Sequence, residues 1–274
     1  APYGRCQQGI RSLQSLKYFL IFFALLLYAA GFFFTMKNII PVICTCLLIS
    51  LSANAQQKDL GTWHVVNAQY NINKKWFVWG ELQTRSQKFM DAFYYYEAKG
   101  GAGMYIGKDF SLWVGTGRYA TYANDGNFKK PFANEEFRFW QQLNMNNYVH
   151  RIKFEHRYRM EQRWLAQGGY KNRYRYRLNA FLPLNNTKVT AKTFFLNAHE
   201  EIFLTNKKPH FERNRIFVGA GYMPDKNTTL MGGYLHQYDY TAAGTSSAKN
   251  FFQISLLLQF HHDETVERVP QILD

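Results

Sequence analysis

The chain has 274 residues, of which 47% are apolar and 18% aromatic, a composition that excludes intrinsic disorder. Its mean hydropathy of −0.37 is too polar for a bundle of membrane helices, and its formal charge of +14 points to anionic solutes or lipid phosphates as partners. All three cysteines, Cys6, Cys44 and Cys46, lie in the first 46 residues, so nothing downstream could mispair in an oxidising compartment.

Residues 18–34 form an apolar segment after Lys17, long enough to approach a membrane span. Met36 then opens MKNIIPVICTCLLISLSANAQQ, with a positive charge at Lys37, an apolar stretch to Leu51, and small residues Ala53 and Ala55 before Gln56. This is the pattern of a cleaved secretory signal over 36–55. A lipoprotein site is disfavoured because Cys44 follows Ile43 inside the apolar core. Because a complete signal starts at Met36, residues 1–35 read as translated upstream sequence rather than an inner-membrane anchor. The folded part is expected over 56–262, followed by a tail at 263–274. Residues 1–55 hold four basic residues and no acid, so the remainder keeps 29 basic against 19 acidic residues.

Strand signals then follow one another. Residues 61–70 and 76–87 flank the turn NINKK, and 94–106 and 110–122 meet at Gly107-Lys108-Asp109. Glycines Gly100, Gly101, Gly103, Gly115 and Gly117 would weaken a helix, whereas in a barrel wall they permit coiling and close strand approach. A polar loop leads to residues 135–145, and a turn at Asn146-Asn147 leads to VHRIKFEHRYRMEQRW over 149–164. There the odd positions Arg151, Lys153, Glu155, Arg157, Arg159, Glu161 and Arg163 are charged. The even positions include Ile152, Phe154, Tyr158, Met160 and Trp164. A period of two places these sets on opposite faces of a strand, whereas a helix would scatter the charges around its circumference. Residues 170–182 repeat the pattern with Arg173, Arg175 and Arg177. Strands over 189–204, 213–223, 229–240 and 250–260 complete the series, the last ending in Phe260.

The reading is an all-β, transmembrane, antiparallel up-and-down barrel with a polar, net-basic lumen. Eleven strand signals are present. Because single-chain bacterial barrels have even strand numbers, ten or twelve strands are expected. Connections near 71, 107, 146, 184 and 225 look short and those near 89, 128, 167, 208 and 244 longer, the asymmetry of such barrels. Trp63, Tyr70, Trp76, Tyr94, Tyr122, Tyr148, Trp164, Tyr170, Tyr222 and Tyr240 sit at strand ends, as aromatic girdles would.

Trp63, the run from Glu81 to Arg85, EEFRFWQQ around Arg138 and Trp140, and ERNRIFVGAGY from Glu212 to Tyr222 resemble the uncharacterised outer-membrane barrel family called domain of unknown function 2490. The resemblance covers roughly residues 60–260. It implies a barrel in the outer membrane of Gram-negative bacteria, and no established activity.

The candidate site is a lumen ladder of Glu81, Arg85, Arg138, Arg151, Lys153, Glu155, Arg157, Arg159, Glu161, Arg163, Arg173, Arg175 and Arg177. Arg and Glu from adjacent strands, about 4.8 Å apart, can pair laterally and fill a narrow lumen, or unpaired arginines can hold or pass a small anion. A lipid-modifying hydrolase is the rival reading. It would have to use Ser255 with His199 or His236, although the neighbours of Ser255 are ordinary wall. Loops over 123–134 and 241–249 could instead form an adhesion platform. His261-His262-Asp263-Glu264 reads as a solvated tail rather than a metal site, and Gly100-Gly101-Ala102-Gly103 lacks the helix and basic residue of a phosphate loop. No catalytic residue, metal or cofactor is expected. The expected partners are outer-membrane lipid and lipopolysaccharide, the outer-membrane assembly machinery through the last strand, and small anions, but no nucleic acid.

Overall fold

The computed structural model describes residues 60–123, 127–240 and 245–262. The expected leader, the segment before it, the terminal tail and residues Asp263 and Glu264 lie outside the described residues.

Eleven strands run in chain order: β1 (Leu60–Asn71), β2 (Trp76–Lys88), β3 (Asp91–Ile106), β4 (Phe110–Tyr122), β5 (Phe132–Val149), β6 (Ile152–Leu165), β7 (Gly169–Pro183), β8 (Thr193–Thr205), β9 (Phe211–Met223), β10 (Thr228–Tyr240) and β11 (Ser246–His261). Each pairs antiparallel with the next, and β1 closes the barrel against β11. The closing pair is parallel, in register from Leu60↔Asn250 to Asn71↔His261.

The expectation of ten or twelve strands is therefore corrected to eleven among the described residues. With an odd number in an up-and-down meander, the first and last strands point the same way. Residues 60–71 form a full strand. Closure leaves no open edge, whichever direction the last pair takes.

The turns over 72–75, 107–109, 150–151, 184–192 and 224–227 gather at one end, here the near end. Those over 89–90, 166–168 and 206–210 gather at the far end, where β4 also ends and β11 begins. Both ends mix tight turns with long connections, so the expected asymmetry is absent. The 89–90 turn is tight because Met90 takes a positive φ of 57°, and the expected turn at 146–147 moves to His150-Arg151, where His150 has φ 53°. The expected short turn near 184 is instead the long 184–192 connection, whose Val189 tucks its side chain into the core beside Phe181 and Phe195.

Alternation along every strand sorts side chains between lumen and outer wall. On β6, Arg157 is fully buried and Arg159 nearly so, while Tyr158 between them is 47% exposed. A barrel of eleven strands is wider than the eight-stranded size that ordinary side chains just fill. Large inward groups close the gap. Phe77, Trp79, Trp113 and Trp140 form one apolar cluster. A second includes Trp63, Phe181, Phe195, Phe217, Leu235 and Phe251.

The inward glycines make room for these rings. A Cβ on Gly115 would lie 2.5 Å from Trp79 Cζ2 and 2.6 Å from Trp140 Cζ2, and one on Gly221 would lie 2.3 Å from Phe195 Cζ. Rings thus lie directly over bare backbone, a tighter role than the expected coiling of the wall.

Of the aromatic residues expected at strand ends, Tyr70, Trp76, Trp164, Tyr170 and Tyr240 are exposed there on the outer face, Tyr122 and Tyr222 are half-buried, and Tyr148 is exposed at the rim opposite lumenal Lys153. Trp63 and Tyr94 depart from the expectation, being buried in the lumen. Trp63 is paired with inward Arg85 and Gln253 and so shares their face. Tyr94 is the extra residue of a bulge, because β3 skips it between Arg85↔Tyr95 and Ser86↔Phe93.

Candidate functional site

Twelve of the thirteen ladder residues are buried on the lumenal face: Glu81, Arg85, Arg138, Lys153, Glu155, Arg157, Arg159, Glu161, Arg163, Arg173, Arg175 and Arg177. The exception is Arg151, which lies in the exposed β5–β6 turn rather than on β6. The positive φ of His150 reverses the chain one residue before it, so the inward alternation starts at Lys153.

Two glutamates organise the middle of the network. Glu161 accepts from Arg173 Nη2 at 2.5 Å and Arg175 Nη1 at 2.6 Å, with Arg138 and Arg159 each at 3.8 Å. Glu201 Oε1 accepts from Arg157 Nη2 at 2.5 Å and Arg175 Nε at 2.8 Å, while its Oε2 lies 3.8 Å from Arg215. Towards the far end, Glu136 takes Arg138 at 2.5 Å and Arg163 at 2.7 Å, and Arg163 also reaches Glu212 at 3.0 Å. Towards the near end, Glu155 lies 3.4 Å from Lys153 and 3.6 Å from Arg177. On β2 and β3, Lys99 bridges Glu81 at 2.6 Å and Glu97 at 2.7 Å, and Arg85 lies 3.4 Å from Glu97.

Ring faces hold several guanidiniums in place. Arg85 sits 3.5 Å over Trp63 and 4.0 Å over Tyr95, Arg138 lies 3.6 Å over Tyr119, and Arg159 lies 4.0 Å over Trp140. Desolvated cation–π contacts of this kind are each worth about 2 kcal/mol.

Sequence reasoning missed Glu97, Lys99, Glu136, Glu201 and Arg215 as ladder members. Their signal was the same alternation. Glu97 and Lys99 precede the glycines of β3 at odd spacing, and Glu136 shares a face with Arg138. Glu200 and Glu201 are adjacent, so only one can point inward. That one is Glu201, opposite Arg177, while Glu200 faces outward and accepts from Asn214 Nδ2 at 3.1 Å.

The residues of the hydrolase reading each meet other partners. Ser255 is lumenal on β11 and accepts from Gln253 Nε2 at 3.1 Å, and His236 is on the outer face with its ring bonded to Asn250 at 2.7 Å. His199 faces inward from β8 and stacks on Phe217, with ring centroids 5.1 Å apart. Among the described residues no group of His, Cys, Asp or Glu has the arrangement of a metal site.

Together these features define a closed β-barrel whose interior is crossed by an arginine-rich ion-pair network packed between aromatic clusters. The chain belongs to the family described as protein of unknown function (DUF2490), whose model matches residues 60–248. No curated protein and no solved structure matches it.

Proposed function

We propose that this protein is an outer-membrane barrel whose lumen is packed shut to large solutes and serves as a fixed, net-positive interior for small anions. The observation that carries this reading is the segregation of each strand into an ionic lumenal face and an apolar outer face. Outward residues such as Leu82, Val114, Phe137 and Leu230 are 46–61% exposed, and aromatic residues stand at both strand ends. On β4, the outward-facing rings Phe110 and Tyr122 stand twelve residues apart. At about 3.3 Å per residue and a tilt near 40° they are separated by about 30 Å along the barrel axis, enough to flank the apolar band of membrane barrels. The leader read over 36–55 supports export.

The lumenal composition favours anions over cations, and the aromatic clusters favour retention over free diffusion. The experiment is planar-bilayer recording. Wild-type protein is expected to give no porin-sized steps, and Trp79→Ala combined with Trp140→Ala is expected to give a small anion-selective current. Large unselective steps from the wild type would refute a packed lumen.

A further inference from the structure

Among the described residues eleven basic side chains are buried in the barrel, Arg85, Lys99, Arg138, Lys153, Arg157, Arg159, Arg163, Arg173, Arg175, Arg177 and Arg215, against six buried carboxylates, Glu81, Glu97, Glu136, Glu155, Glu161 and Glu201. The half-buried rim does not change the difference, since Lys171 and Arg213 face Glu212 and Asp239. Nine of the eleven are arginines, which do not lose their proton in proteins, so the interior carries at least three positive charges beyond its carboxylates even with both lysines neutral. Charge of one sign buried without compensation costs several kcal/mol per ion. The excess is uneven, because Arg85 and Lys99 are balanced by Glu81 and Glu97, whereas the β6–β9 side holds most of the arginines.

One corner of that side is built as a receptor. Arg157 and Arg177 are partners across β6 and β7, and Asn179 and His199 are partners across β7 and β8. The four share one lumenal patch about 5 Å by 7 Å per strand and residue step, and all are at most 2% exposed. Asn197 Nδ2 donates to Asn179 Oδ1 at 2.5 Å, which leaves the Asn179 amide NH2 directed elsewhere. Among the described residues neither Asn179 Nδ2 nor His199 Nδ1 meets a hydrogen-bond partner. The carboxylates beside the patch are committed: Glu201 to Arg157, Arg175 and Arg215, and Glu155 to Lys153 and Arg177.

We infer that the corner formed by Arg157, Arg177, Asn179 and His199 is a binding site for one compact tetrahedral oxyanion of the phosphate or sulfate type. Such an ion offers several acceptor oxygens to two guanidiniums, an amide and an imidazole N–H, and its charge answers the local cationic excess. This deepens the reading of an anion-holding lumen and rests on it.

The test is calorimetric titration of the full exported chain in detergent with sulfate, phosphate, acetate and chloride at constant ionic strength. One saturable site for sulfate or phosphate is expected, with acetate and chloride much weaker. Asn179→Leu, which removes a neutral donor and no charge, is expected to weaken sulfate about tenfold, and Arg177→Gln up to about a hundredfold. If Arg177→Gln fails to form the barrel, Asn179→Leu and His199→Leu carry the test. Equal binding of chloride and sulfate, tighter binding of acetate, or unchanged affinity in Asn179→Leu would overturn the site. Flotation of the same sample with liposomes tests the membrane reading separately, since a protein that stays soluble without detergent refutes that reading whatever the titration gives.

Discussion

Arg157 and Arg177 face one another as Cα partners across β6 and β7, two fully buried arginines pointing into one lumen. Like charges directly opposite on a sheet repel, so the pair persists only because carboxylates from neighbouring positions intervene. Glu201 reaches Arg157 from β8, two strands away, and Glu155 reaches Arg177 from β6. The same arrangement recurs one step along at Arg159 and Arg175, both of which reach Glu161. The glutamates act as cross-braces between arginine-bearing strands, and their loss has a specific consequence.

Glu201→Gln removes the carboxylate shared by Arg157, Arg175 and Arg215. Breaking a buried pair leaves an uncompensated charge, so a loss of about 3–5 kcal/mol is expected. Glu200→Gln, one residue away on the outer face, should cost far less. Equilibrium unfolding of both variants in lipid vesicles or detergent checks this, and equal effects would contradict the assignment of Glu201 as a brace.

Gly115→Ala places a methyl group against Trp79 and Trp140 at 2.5–2.6 Å. Neither ring has free space to retreat, since the two already sit 5.1 Å apart by centroids. Overpacking of this kind costs about 1–3 kcal/mol. At Gly80 the nearest atom to a new Cβ is 3.9 Å away, so Gly80→Ala should be close to neutral. A shift in unfolding midpoint for the first and not the second is the expected result.

Leu82→Arg tests the outer wall. Leu82 is 61% exposed near the middle of β2, whereas Trp76 opens the same strand. If hydrocarbon covers this face, arginine at mid-height costs about 2–4 kcal/mol and Trp76→Arg about 0–1 kcal/mol. Folding equilibria into vesicles measure the difference, and a flat profile along β2 would contradict burial in a bilayer.

Ser255→Ala should leave acyl-ester hydrolysis at its wild-type background and change stability by about 1 kcal/mol or less, since it removes one hydrogen bond from Gln253. Fatty-acid release that vanishes in this variant would revive the hydrolase reading.

Much of the wall was legible because alternation is a local property. Lys153 to Arg163 on β6 and Arg173 to Arg177 on β7 declare their inward face through spacing alone. The departures arise where a single residue changes phase. His150 turns the chain and excludes Arg151 from the lumen, and the bulge at Tyr94 sends an expected girdle residue inward. Neither shift alters composition or hydropathy, so neither leaves a trace in the pattern. Glu200 and Glu201 are equivalent as letters, and only the register of β8 against β7 separates a wall residue from a brace.

The amino-acid order by itself determined that this is a β-barrel with an ionic interior, because a side-chain period of two is set within each strand and needs no partner. Which arginine meets which glutamate, how an odd number of strands closes, and which glycines lie beneath tryptophans were decided only in the tertiary structure. Arg157 and Glu201 are 44 positions apart, and their meeting depends on the registers of β6 with β7 and β7 with β8 together. Register accumulates from strand to strand around a closed cylinder, so it is a property of the whole sheet that no single segment encodes.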